Sequence, residues 1–241
     1  MADGHGPAQT DADREADQVA ARYARRETSD RYRASNADVW LTLQERQRAM
    51  LRLLARKGLR DFGALDVVEV GCGSGGNLLE LLRLGFDPAR LVGIELLAGR
   101  YALARRNLPE ALRLYQAEAS TVELEPASQD IVYVSTVFSS LLDPGFQERL
   151  AGVMWRWVRP GGGVLWYDFT VDNPRNPDVR GVPLRRVRSL FPLGAAEAFR
   201  ITLAPPLARA VVRLHPSLYT VFSAFPPLRT HVLAWIGKPE A

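Results

Sequence analysis

The run EVGCGSGG at residues 69–76 concentrates the residue types that let a backbone approach a ligand closely. Gly71, Gly73, Gly75 and Gly76 stand where an apolar stretch, VVEV, gives way to the helix-like NLLELLRLG. Glycine permits a tight turn there, and the free N–H groups that open a helix suit a negative or polar ligand group. The GxGxxG spacing of Gly71, Gly73 and Gly76 also fits a dinucleotide-binding turn, which leaves an NAD(P)-dependent oxidoreductase open. Two carboxylates weigh against that. Glu69 precedes Gly71 by two residues, where it is poorly placed beside a pyrophosphate and well placed near a cationic ligand. Glu95 follows Gly75 by twenty residues and ends the next apolar run, where an acid accepts ribose hydroxyls.

Positioning these groups requires strands that alternate with helices. VVEV (67–70), LVGIE (91–95), LRLYQ (112–116), DIVYVS (130–135) and VLWYDF (164–169) read as strands. Helical stretches at 77–84, 99–107 and 146–157 separate them, and the turn RPGGG (159–163) precedes the fifth strand. This alternation predicts an α/β fold, a doubly wound parallel sheet with right-handed crossovers. Upstream, residues 1–10 read as a disordered tail. Residues 11–60 read as two helices forming a cap, the second starting at Ser35-Asn36 and stopping at Gly58. Residues 61–241 form the main domain. Its tail holds a long Pro/Asn/Gly-rich loop (170–183), a short helix (184–190), a strand (199–203), an apolar and basic helical stretch (about 205–228) split by Pro216, and a last strand (230–236).

On these motifs the sequence resembles the class I S-adenosylmethionine-dependent methyltransferases, with likeness to members from bacterial polysaccharide and natural-product gene clusters. The resemblance covers about residues 64–170 and the final strand pair. It implies a Rossmann-like seven-stranded sheet whose last strand is antiparallel, and S-adenosyl-L-methionine as cofactor. Glu69, Gly71, Gly73 and Gly75 match the first motif, and Glu95 with Leu96 the ribose site. Gln116-Ala117-Glu118-Ala119 resembles the adenine segment, with Glu118 in place of the usual aspartate. Ser135 at the end of the fourth strand completes the donor set. Tyr23 and Tyr32, in the N-terminal cap, occupy the place where the family often covers its donor.

The chemistry that follows is methylation of a small molecule, with O-methylation of a sugar or natural-product hydroxyl or carboxylate as the leading expectation. N- or C-methylation of a metabolite, and a catalytically silent donor-binding scaffold, stay open. Methyl displacement needs the acceptor atom in line with the methyl carbon, and a base only where that atom carries a proton of high pKa. The stretch 135–140, STVFSS, has no titratable side chain. The remaining base candidates are Asp168 at the end of the fifth strand and His215 before Pro216. Asn173, Asn176, Arg180 and Arg185 offer amide and guanidinium donors suited to sugar hydroxyls or carboxylates.

Charge narrows the partners. The chain carries +4 overall, yet residues 175–213 alone hold eight arginines against Asp178 and Glu197, a local +6. That suits either a solvated arginine-rich surface or an anionic or lipid-linked acceptor, drawn in by Arg180, Arg185 and Arg186 beneath a lid built from loop 170–183 and residues 205–228. The same helical stretch alternatively serves a homodimer contact or peripheral membrane contact, so monomer and dimer are both open. A base-flipping motif is absent and no specific nucleic-acid binding is expected. A single cysteine, Cys72, and three scattered histidines give no metal site and no disulfide. The polar start and the lack of a long apolar run predict a cytoplasmic protein.

Overall fold

Strands buried on both faces read as near-continuous apolar runs, because helices cover the sheet on either side. The computed structural model, which describes Glu15 and residues 18–22, 33–173 and 176–240, has this arrangement. In chain order the elements are α1 (Ala37–Arg56), β1 (Val67–Val70), α2 (Gly76–Arg83), β2 (Leu91–Glu95), α3 (Ala98–Asn107), β3 (Arg113–Gln116), β4 (Gln129–Ser135), α4 (Pro144–Trp157), β5 (Val158–Phe169), α5 (Leu184–Leu190), β6 (Ala195–Leu203), α6 (Pro205–Leu214), α7 (Ser217–Ser223) and β7 (Arg229–Gly237). The seven strands form one sheet in the order β3-β2-β1-β4-β5-β7-β6. β1 to β5 run parallel, and β7 runs antiparallel to both β5 and β6. The expected seven-stranded α/β sheet is therefore present, with its reversed strand inserted beside the edge.

Alternate residues of the strands feed two cores. Val68, Val70, Val132, Val134 and Trp166 face α4 and α5, while Val67, Ile131, Tyr133, Leu165 and Trp235 face α1 and α2. Burial of each such side chain stabilises the fold by roughly 1.5–3 kcal/mol before entropy is counted. Two strands are longer than their side chains announce. β5 takes in the RPGGG turn because Gly163 lies against the Trp235 indole, where a Cβ would sit 2.4 Å from Cε2. β6 starts at Ala195 rather than 199, its Ala-rich half held through backbone pairing with β7.

The order of the sheet decides where function gathers. The strand order reverses between β1 and β4, and ligands of such sheets lie outside the strand carboxyl ends at that switch point. Because β7 is antiparallel to β5 and β6, β6 runs the same way as β5, and its carboxyl end opens on the same edge. The helical hairpin α6–α7, divided at Pro216 as expected, rises from that edge. Among the described residues no helix is long and apolar enough to cross a membrane.

Candidate functional site: a donor cavity and a basic cleft

The β1–α2 turn is built by left-handed glycines. Gly71, Gly73 and Gly75 have φ of 68°, 58° and 87°. At Gly71 a Cβ would lie 2.5 Å from Val137 Cγ2, so a side chain would drive the turn into the β4 exit loop. The turn borders a cavity between the carboxyl ends of β1, β2 and β4, of about 730 Å3 counted to its open mouth. Six expected donor residues line it, namely Gly71, Glu95, Leu96, Glu118, Ala119 and Ser135, with Leu141 and Val19 on the far wall. Gly73 and Gly75 sit behind the wall and shape it. Tyr23 and Tyr32 lie outside the described residues.

Glu95 holds this cavity together. Its Oε2 accepts from Gly73 N (2.8 Å) and its Oε1 from Leu97 N (2.8 Å). A carboxylate has about four acceptor positions, so both oxygens retain capacity toward a diol. Glu118 accepts from Ser120 N (2.7 Å) and from the Ser120 hydroxyl, which stiffens the turn after β3.

Glu69 lies beneath the glycine turn, fully buried. Its Oε1 accepts from Asn77 Nδ2 (2.6 Å), whereas Oε2 has no hydrogen-bond partner. Burial pushes its carboxyl up to about 8, against the smaller opposing effects of Asn77 and Arg46. An orphaned buried acceptor of this kind fits a cationic ligand group.

Arg46 is the residue that sequence reading passed over. It projects from the middle of α1, is buried, and donates to Asn77 Oδ1 (2.6 Å), Glu80 Oε2 (3.2 Å) and Ser135 Oγ (3.4 Å). Its guanidinium lies 5.2 Å from the centroid of the Tyr167 ring, on which His231 also stacks. The signal was present, because Arg46 interrupts the apolar stripe Leu43, Met50, Leu53 at helical spacing. A charge on the inward face of a helix needs a buried partner.

Neither base candidate is among the residues that line the donor cavity. Asp168 is buried, and its Oδ2 and Oδ1 accept from the Ser139 and Phe169 backbone N–H groups (3.0 and 2.9 Å). Burial pushes it up to about 7. Its geometry is that of a fastener for the loop after β4. His215 is exposed at the tip of the α6–α7 hairpin, accepting from Ser217 N (3.2 Å).

The loop 170–183 encloses a second cleft, of about 1060 Å3, which shares Leu141 with the donor cavity. Asp172 accepts from Gly181 N (2.8 Å), and Arg180 N donates to Ser139 O (2.8 Å), so the loop is folded back on the β4 exit. Arg180, Arg185 and Arg186 line the cleft. Arg186 is committed to Gln147, Glu148 and the Pro144 carbonyl. Arg180 and Arg185 are exposed, and neither has a carboxylate within 4 Å among the described residues. Asn173 and Asn176 are not in this lining. Asn176 instead makes a turn, accepting from Asp178 N (3.2 Å).

This geometry sets a cavity at a sheet switch point, with a backbone-held carboxylate in its lining and a buried, unpartnered acceptor beneath its glycine turn. A family model described as a methyltransferase domain matches residues 67–162. A trans-aconitate 2-methyltransferase of Afipia carboxidovorans is 31% identical over 192 residues, which cover 79% of this chain and 67% of that protein. The chain thus spans about two thirds of that relative's length. Among solved structures, the N-methyltransferase NodS from Bradyrhizobium japonicum superposes with a TM-score of 0.61 at 16% identity, covering 86% of this chain and all of that one. A phosphoethanolamine N-methyltransferase of Haemonchus contortus, solved with S-adenosyl-L-methionine, gives 0.56 at 17% identity, covering 80% of this chain and 53% of that one. The chain belongs to the class I S-adenosylmethionine-dependent methyltransferases. The oxidoreductase alternative falls with that assignment. The donor fits the residues present: Glu95 has the acceptors for its ribose, and the unpartnered oxygen of Glu69 suits a cationic group.

Proposed function

We propose that this protein transfers a methyl group from S-adenosylmethionine to an oxygen of a small, carboxylate-bearing acceptor held in the basic cleft. The observation that carries the reading is the pair of exposed arginines, Arg180 and Arg185, without acidic partners among the described residues, in a cleft that meets the donor cavity at Leu141. Guanidinium groups recognise carboxylates with paired, charge-assisted hydrogen bonds. A relative that by its name acts on trans-aconitate, a small carboxylate anion, supports the same class.

When bound, the donor supplies an electrophilic methyl on a sulfonium. Everything else falls to the chain. Glu95 and Glu69 hold the donor's two ends, and Arg180 and Arg185 hold the acceptor. Leu141 and Phe146, which line the donor cavity, keep water from the space between. A carboxylate oxygen carries no proton at neutral pH, so its displacement reaction needs positioning and no general base. That agrees with a β4 exit (residues 135–140) without a titratable group, and with an Asp168 already bonded through both oxygens.

The test is a screen of di- and tricarboxylates beside sugar hydroxyl acceptors, followed by Arg180→Ala and Arg185→Ala with the acceptor found. Each variant should raise the acceptor's KM about tenfold, ~1.4 kcal/mol, at unchanged donor affinity. Transfer to neutral sugars alone would overturn the acceptor class. Donor binding without transfer to any acceptor would instead support a scaffold.

A further inference from the structure

From 198 to 237 the chain contains no aspartate or glutamate, while Arg200, Arg209, Arg213 and Arg229 all fall within it. The middle of this segment is the α6–α7 hairpin. Its inner side is satisfied: Ala208, Val211 and Tyr219 pack with Leu203 and Leu41, and Glu45 of α1 accepts from Tyr219 OH (2.7 Å) and Ser223 Oγ (2.6 Å). Its outer side is not. Leu214 is 80% exposed, Phe225 58% and Val221 53%. Val221 and Phe225 stand four residues apart along α7 and its exit, and Leu214 ends α6 at the hairpin tip.

A lone exposed leucine needs no explanation. Here three large apolar side chains share the run 214–228, in which no residue carries a full charge. Arginines border that run on both sides. Arg209 and Arg213 have no carboxylate within 4 Å among the described residues. Arg229 bonds to the carbonyl oxygens of Ser223 and Arg200, which fixes its position and leaves its charge uncompensated.

We propose that the α6–α7 hairpin docks on the surface of a bilayer containing anionic lipids. Leu214, Val221 and Phe225 enter the interfacial zone, and Arg209 and Arg213 meet lipid phosphates. An element with an apolar face and a purely cationic border has the character of an interfacial helix. A second copy of the chain suits this face poorly. A two-fold contact is made by the same patch on both sides, so it would bring the cationic borders together, and the run 198–237 supplies no acid to meet them. The hairpin rises from the strand edge on which the donor cavity opens, so docking turns that edge toward the lipid. The inference stands apart from the identity of the acceptor.

The experiment is sedimentation of the full chain with vesicles of phosphatidylglycerol and phosphatidylcholine in equal parts, beside vesicles of phosphatidylcholine alone. The parent should pellet with the anionic vesicles, remain in solution with the neutral ones, and be released at ~0.5 M salt, where screening shortens to a few ångströms. The double variants L214E/F225E and R209E/R213E should each lower the bound fraction at least tenfold. Donor binding should be unchanged in both, which shows that they fold. No binding of the parent, or binding unaltered by both variants, would overturn the proposal. So would a concentration-dependent doubling of mass that L214E/F225E abolishes, since that assigns the face to a second copy.

Discussion

The donor cavity and the basic cleft share a wall and are built in opposite ways. The donor side is assembled largely from turns that directly follow β1, β2, β3 and β4, and two of its carboxylates, Glu95 and Glu118, are held by backbone N–H groups a few residues away or across one strand. The cleft side draws on residues near 141–147, 170–172 and 180–186, and its exposed arginines are long side chains on a folded-back loop and the first turn of α5. Backbone-held acids are fixed before a ligand arrives, whereas exposed arginines must be ordered by it. A site built like the donor cavity should fail sharply when one group is lost, and one built like the cleft should fail by degrees.

The largest effect is expected at Glu95. Glu95→Ala removes the carboxylate we assign to the donor's ribose and releases the Gly73 and Leu97 N–H groups together. Donor Kd should rise on the order of 100-fold, or about 3 kcal/mol, in calorimetry. A change below fivefold would put the ribose elsewhere. Next comes Glu45, which ties Thr202 N, Tyr219 and Ser223 to α1. Glu45→Ala takes the acceptor from Thr202 N and Ser223 Oγ and leaves Tyr219 OH with Thr42 Oγ1, and should lower unfolding stability on the order of 3 kcal/mol by urea titration.

Glu69 gives a prediction in pH. Its folded pKa of about 8 lies above the ordinary 4.5, so the free folded protein keeps a proton that the unfolded chain gives up. Its contribution to stability therefore falls as pH rises from about 4.5 to 8, on the order of 1.4 kcal/mol per pH unit. A cationic donor prefers the ionised form, so donor affinity should rise over the same window and level off above it. Glu69→Gln should flatten both profiles. If donor affinity in the parent is level from pH 6 to 9, the unpartnered oxygen does not face the donor's charge. The smallest effect is expected at Arg186. It is already committed to Gln147, Glu148 and a carbonyl, so Arg186→Ala should cost less than about 1 kcal/mol of stability and leave acceptor KM within threefold.

The same contrast decides what could be read from the sequence. Gly71, Gly73, Glu95 and Glu118 are legible because glycine at a strand end and an acid at the next strand end have few other uses at that spacing. β1 and β2 were legible to the residue, since strands covered on both faces are nearly unbroken apolar runs. The early start of β5 and β6 was not. Glycine and alanine there contribute backbone pairing and clearance for Trp235, neither of which shows as periodicity. Asp168 reads as a base candidate because it stands at a strand end; the structure adds one backbone donor on each of its oxygens, from Ser139 and Phe169, which no sequence pattern announces. Arg46 was hidden in plain sight on the buried stripe of α1. Asn173 and Asn176 read equally as ligand donors and as turn formers, and Asn176 makes a turn.

Residues 139–142 answer to four regions at once. Ser139 is fastened by Asp168 and by the Arg180 N–H, the Ser140 carbonyl accepts from Arg22, Leu142 N–H donates to Glu15, and Leu141 faces both cavities. A ligand that shifts this segment on one side alters the fit on the other. Linkage then requires the influence to run equally in both directions. Whatever factor the donor contributes to acceptor affinity, the acceptor must return to the donor. The demethylated donor, lacking the methyl and the positive charge, carries a different factor, so acceptor affinity measured beside it should differ from acceptor affinity measured beside the donor.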